Sequence, residues 1–444
     1  MRRDFFALLS SLAVLAAGPS FAAGRCDYDA TVSDPAELVL AVRARCAGVS
    51  APGFTLARGV PAAAIEERRS EDEGTGVSYR VRLSALAERS GSPDVARRVG
   101  NMVVSPIPVW LLQPEDEGAE VTLRLTLQDG IEAAINLKRK DGRYVLSAED
   151  VDYGGYAAFG RFARENLEIG GGAIDIIYAP GMLAMDASEL KQAIGDAAAE
   201  VARFYGRFPV DRALLFALPG SPRQGIEFGR VRGGGGATLM LRFGTQARAA
   251  GLKGEWVLVH ELLHLGGPFV TPRGTWLMEG MATYAEPLLR ARAGWTSPEA
   301  LWREFAGEMA RGVDALTREG LDRVSRRGVY WGGALFMLLA DLDIRERTNG
   351  RASLETCLRG VLTEGGDTTQ RWSRERVFDA CDAATGTGTM RRLAAAYVET
   401  PGTLDWAALW RDLGVSLDGG TLRFDDTAPR AALRRAISAW PALN

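Results

Sequence analysis

His260 and His264 are the only histidines in the 444-residue chain, and they stand four residues apart in Val259-His260-Glu261-Leu262-Leu263-His264. On a helix, side chains at i and i+4 lie one above the other, so both imidazoles can reach a single metal ion. Glu261 sits beside that pair, where its carboxylate could take a proton from a water held by the ion. This is the H-E-x-x-H spacing, and the chemistry it suits is zinc-assisted hydrolysis.

Two imidazoles do not complete such a centre, because a catalytic zinc keeps three protein ligands and one open position. Downstream stands Trp276-Leu277-Met278-Glu279-Gly280-Met281-Ala282-Thr283-Tyr284-Ala285-Glu286. If this stretch is helical, Glu279 and Glu286 share a face but lie about 10 Å apart along the axis. Only one of them can bind the same ion, and spacing alone leaves the choice open.

The elements that must hold these residues suggest an α+β chain. Residues 24–165 read as a β-rich, sandwich-like domain. Val77–Leu83 and Glu120–Leu127 alternate apolar and polar with the period of half-buried strands. Val103–Leu112 is strand-like but interrupted by Pro106 and Pro108, which suits an edge. Asp141-Gly142 signals a hairpin between Ile135–Leu137 and Tyr144–Leu146. Residues 170–290 carry strands at Ala173–Tyr178, Arg212–Leu218 and Ala237–Phe243, with an amphipathic helix over Ser188–Tyr205. A helix over Leu252–Leu265 holds the two histidines and stops at Gly266-Gly267-Pro268. Residues 291–444 read as mainly helical, most clearly at Val329–Arg347 and Arg374–Ala384.

Fifty-three basic residues oppose 56 acidic ones, which argues against a nucleic-acid partner or a polybasic membrane patch. Residues 1–23 read as a signal peptide: Arg2-Arg3, an apolar run from Phe5 to Gly18, then Ser20-Phe21-Ala22 as a cleavage site. The arginine pair also resembles a twin-arginine signal. The expected product is an exported protein, periplasmic or secreted, with no stable membrane span after cleavage. Four cysteines follow, an even number that suits disulfides in such a compartment. Of three possible pairings, Cys26–Cys46 with Cys357–Cys381 closes the shortest loops. Four buried thiols are the alternative.

The segment Glu279-Gly280-Met281-Ala282-Thr283-Tyr284, preceded by Trp276-Leu277, resembles the second zinc-site helix of the gluzincins. These are zinc peptidases in which a glutamate on the helix after H-E-x-x-H completes the metal site. The resemblance implies one zinc on His260, His264 and Glu279, and leaves Glu286 as a helix-end surface charge or a carboxylate supporting the site. Tyr330-Trp331-Gly332-Gly333 resembles the place where gluzincin aminopeptidases keep a tyrosine that steadies the tetrahedral intermediate, which nominates Tyr330. Trp331 and Phe336 read as core. The run from Leu342 to Leu354 is most similar to the glycyl aminopeptidase family, without an evident PDZ domain. The resemblance covers about residues 170–400 and, more faintly, the N-terminal domain.

The resemblance implies a thermolysin-like catalytic domain with a mixed sheet, a peptide or protein substrate, and Glu261 as general base. The stretch Gly234-Gly235-Gly236-Ala237 then stands where an edge strand would pair with substrate, with a flexible loop as the equal alternative. Many relatives carry there a glutamate that anchors a free amine; this chain has none, and Glu227 is the acid nearby. The segment between His264 and Glu279 is also short. Two other readings compete: a non-catalytic binding protein on a degenerate peptidase domain, and a zinc hydrolase acting on a non-peptide amide or ester. Intact Glu261 argues against the first. Oligomeric state is not legible.

Overall fold

A computed structural model describes residues 24–324 and 328–440. The segment read as a signal peptide lies outside the described residues. No helix among the described residues is long and apolar enough to cross a membrane.

The N-terminal part builds two sheets around one apolar core. The larger has seven strands in the order Lys138–Lys140, Arg143–Ser147, Glu120–Leu127, Arg25–Ser33, Val39–Ala47, Gly76–Arg82, Glu66–Glu71. Along its central strand Cys26, Tyr28, Ala30 and Val32 are buried and their neighbours are not, as period-two patterning requires. The smaller sheet orders Glu132–Ile135, Tyr156–Gly160, Met102–Pro106 and Arg97–Val99. Trp110, Phe159, Tyr28 and Leu123 join the two sheets in a shared core.

Two local expectations need correction. The run Val103–Leu112 is not one edge strand: the strand ends at Pro106, and Ile107–Trp110 forms a helical turn with a proline in its first positions. Proline lacks an N–H to donate to a ladder but suits a helix start. The Asp141-Gly142 turn joins Lys138–Lys140 to Arg143–Ser147, whereas Ile135 belongs to the other sheet. Both turn residues have positive φ, 49° and 77°, as a tight hairpin demands.

The second unit is a mixed five-stranded sheet: β1 (Ala163–Ile169), β2 (Gly172–Tyr178), β3 (Arg212–Pro219), β4 (Ile226–Arg232) and β5 (Ala237–Phe243). The order is β1-β2-β3-β5-β4, with β2, β3 and β5 parallel and both edges antiparallel. Helix α1 (Ala187–Tyr205) links β2 to β3. Asp186 and Glu189 form a reciprocal capping box at its start, and Gly206 ends it at φ 82°. One sheet face packs Ile174, Ile176, Leu215, Leu239 and Leu241 on the helices. The other packs Ile177, Leu214, Phe216 and Met240 against Val104, Tyr156 and Ala158 of the N-terminal part. Covered on both faces, the central strands are almost wholly apolar.

After β5 the chain is mainly helical. Helix α2 (Trp256–Leu263) is shorter than the expected Leu252–Leu265 span. Gly254, at φ 80°, separates it from the turn Ala249–Leu252, and His264 opens a 3₁₀ turn to Gly266. The short connection that follows holds Phe269–Val270, paired in parallel with Arg371–Trp372. Helix α3 (Thr275–Arg292) and helix α4 (Gly328–Thr348) then pack backbone to backbone. A Cβ on Gly280 would lie 2.4 Å from Gly333 Cα, and one on Gly333 would lie 2.1 Å from Trp276 O. Only paired glycines allow that approach. Asp341 of α4 locks the crossing, accepting from Tyr284 Oη at 2.8 Å, Arg345 Nε at 2.9 Å and Leu354 N at 2.8 Å.

Both disulfides take the local pairing. Cys26–Cys46 joins directly opposed residues of neighbouring strands. Cys357–Cys381 ties the helix Leu354–Thr363 to Arg374–Thr385.

Candidate metal centre

Helix α2 runs beneath the sheet edge with seven of its eight residues buried. That burial explains why its sequence is apolar except at His260 and Glu261. Four-residue spacing sets His264 one turn beyond His260, and α3 brings Glu279 across from both. Glu279 Oε2 lies 3.1 Å from His260 Nε2 and 3.5 Å from His264 Nε2. The three ligand atoms fall within 4.8 Å of one another. Donors held at ~2.0–2.1 Å from one tetrahedral ion stand roughly 3.4 Å apart, so this donor set fits zinc in both chemistry and spacing.

Glu286, two turns along α3, stays out of this cluster. The expectation that it is a surface charge is wrong: it is buried. It ion-pairs with Arg290, which also meets Glu304 at 3.0 Å. Burial pushes its carboxyl up to about 8, against the opposing pull of Arg290.

The electrostatics separate the two glutamates at the centre. Burial works to raise Glu279, but its contacts with both imidazoles outweigh this and hold it well below the usual carboxylate range. Burial lowers His260. It also works against protonated His264, yet there Glu279 prevails and the net shift is upward. Glu261 is pushed up to about 7, chiefly by burial, with His264 pulling down and Glu279 pushing up. A carboxyl poised near neutrality can both accept and return a proton.

These residues line a cavity of about 1110 Å³ whose walls include Phe228–Gly234 of β4 and its turn, Trp256, Tyr330, Trp331 and Arg371. Tyr330, at the start of α4, has its ring centroid 6.4 Å from that of His260 and is 43% exposed. Trp256 also stands beside His260, with ring centroids 5.8 Å apart. Trp331, expected in the core, is only half-buried and reaches the cavity, whereas Phe336 is fully buried.

The glycine quartet is not a substrate strand. Gly233–Gly236 form the turn between β4 and β5. Gly234 reaches the cavity wall, but a Cβ on Gly235 would meet Leu137 at 2.5 Å, and one on Gly236 would meet Asn136 O at 1.8 Å. Ala237 opens the interior strand β5 and is fully buried. The N-terminal part occupies the space a peptide would need. The sheet edge at the cavity is β4, and Gly229 on it abuts Glu261, whose Cγ would lie 2.3 Å from an added Cβ. Sequence reasoning missed this strand; a glycine flanked by Phe228 and Arg230 was the available signal.

No family model matches the chain, and no curated protein matches it in sequence. Solved structures match its fold. An aminopeptidase N family protein from Idiomarina loihiensis superposes with a TM-score of 0.64 at 14% identity, covering 88% of this chain and 78% of that one. An M1 zinc metallopeptidase from Deinococcus radiodurans gives 0.51 at 17% identity, covering 85% and 95%. A variant of the latter, solved with the substrate Tyr-Ser-Ala, gives 0.51 at 17% identity, covering 84% and 93%. The chain therefore shares the fold of M1 zinc metallopeptidases.

Proposed function

We propose that this protein is an exported zinc metallopeptidase of gluzincin type, most similar to the glycyl aminopeptidase family, that hydrolyses peptide bonds. The observation that carries the reading is the convergence of His260, His264 and Glu279 on a cavity that Glu261 also lines. The shared fold with M1 zinc metallopeptidases supports it, and the two disulfides suit export.

His260, His264 and Glu279 hold one zinc per chain. Bound there, the ion supplies a Lewis acid that acidifies a water and polarises a carbonyl. Glu261 takes the proton of the attacking water and returns it to the leaving amine; its elevated pKa suits both steps. Tyr330 donates its hydroxyl to the developing oxyanion. An extended peptide lies along the β4 edge, paired backbone to backbone. Gly229 lets its scissile bond approach Glu261.

Purified protein should carry about one zinc per chain and cleave unstructured peptides, with products read by mass spectrometry. Glu261→Gln should keep the zinc and lose about 10²–10⁴-fold in kcat. A chain that takes up no zinc, or a Glu261→Gln variant with full turnover, would end the reading.

A further inference from the structure

The cavity has a cationic end that the catalytic residues do not use. Gly233-Gly234 is clamped against Tyr153-Gly154: Gly234 N donates to Tyr153 O at 3.1 Å. Two arginines from distant segments flank that clamp. Arg232, the last residue of β4, donates from Nε to Gly154 O at 3.0 Å and lies 5.8 Å from the Tyr156 ring centroid. Among the described residues, neither of its Nη atoms has a hydrogen bond or ion pair. Arg371 stacks its guanidinium 3.6 Å over Tyr153. Its Nε is buried and, among the described residues, has no hydrogen-bond partner. The acids nearby are engaged: Glu149 meets one Nη of Arg371 at 2.6 Å, and Asp150, which also lines the cavity, accepts from Ser147 N in a helix cap. A third cation, Arg230 on the same strand as Arg232, is paired with Asp94.

We infer that Arg232 and Arg371 form a subsite for a substrate carboxylate. The inference rests on the peptidase reading and specifies its substrate. Arg232 fixes one nitrogen to a backbone carbonyl and so presents the remaining fork in a set direction, the arrangement that recognises carboxylates in pairs of hydrogen bonds. Three residues of extended chain separate Gly229 from Arg232, ~10 Å. A peptide paired along β4 with its scissile bond at Glu261 thus carries its carboxylate two or three residues from the cut. A free amine at that end would meet two cations, with Glu149 already paired to Arg371 and Asp150 already engaged in its helix cap. The carboxylate is either an acidic side chain or the chain terminus.

The experiment uses zinc-loaded protein and peptide pairs differing only in Glu against Gln at the second or third residue on either side of the scissile bond. Further pairs differ in a C-terminal acid against amide, or a free against an acetylated N-terminus. The carboxylate member of at least one pair should be favoured about tenfold or more in kcat/KM, mainly through KM. Arg232→Gln and Arg371→Gln should each shrink that ratio, and Arg232→Lys should restore part of it. Which pair responds identifies the carboxylate source. Equal rates within every carboxylate pair, or a ratio untouched by both arginine variants, would overturn the subsite. Calorimetric binding of the same peptides to Glu261→Gln reads the subsite without turnover. A protein that cleaves none of them yet binds carboxylates through Arg232 loses the peptidase reading and keeps this one.

Discussion

Gly229 has a backbone conformation open to alanine, since its φ is not positive, yet a Cβ there would lie 2.3 Å from Glu261 Cγ and 2.7 Å from its Cδ. Carbon atoms rest at about 3.5–4.0 Å, so Gly229→Ala forces the Glu261 side chain aside by roughly 1 Å or more. The rest of α2 cannot follow, because its two flanking histidines are held by Glu279. A displacement of about 1 Å in a reacting group costs on the order of 100-fold in rate, while overpacking at one site costs about 1–3 kcal/mol of stability. Gly229→Ala should therefore lose about 100-fold in kcat, keep its zinc, and melt modestly lower. Gly251→Ala, where among the described residues a Cβ meets nothing within 4 Å, is the control and should be neutral. Both effects act through one carboxylate, so Gly229→Ala combined with Glu261→Gln should be no slower than Glu261→Gln alone. Full turnover in a folded, zinc-loaded Gly229→Ala protein would refute the placement of the base.

Glu279→Gln should lose zinc on dialysis, whereas Glu286→Gln should retain it; metal analysis of the two variants separates the residues that spacing alone could not. Tyr330→Phe should lower kcat by about 10²–10³-fold with little change in KM if its hydroxyl meets the oxyanion, and steady-state kinetics decides it. Glu286, raised to about 8, contributes stability that is complete below its unfolded pKa and lost as pH rises through 8. Thermal melts from pH 5 to 9 should show that loss in wild type and a flatter profile in Glu286→Gln, where Arg290 keeps Glu304. Replacing Cys357 and Cys381 by serine opens a loop with a sequence separation of 24 residues and should cost about 3 kcal/mol in denaturant unfolding.

Much of the centre was legible because its signals are local. Histidines at four-residue spacing need only a helix to converge, and the apolar run around them supplies one. The central strands β2, β3 and β5 announce themselves because burial on both faces leaves them almost uniformly apolar. The cysteine pairing was open to loop length because each pair joins neighbouring elements. The histidine helix itself came out shorter than its apolar pattern, because Gly254 stops the chain in a left-handed turn that composition does not mark.

What stayed hidden depends on contacts between distant segments. Strand β4 reads Ile-Glu-Phe-Gly-Arg-Val-Arg, too charged for a core strand and without clean alternation, because its outer edge and one face look into a cavity. The glycine quartet after it looked like open backbone, yet its glycines are there because Asn136, Leu137 and Thr368 leave no space for a Cβ. Small residues thus mark close approach in both places, but only at Gly229 is the neighbour the proposed base, Glu261. Glu286 follows the same logic in reverse. A carboxylate seven residues past Glu279 looks solvated until Glu304 and Arg290 close over it. The chemistry at the cavity is set less by which residues the chain contains than by which of them lack room to be anything larger.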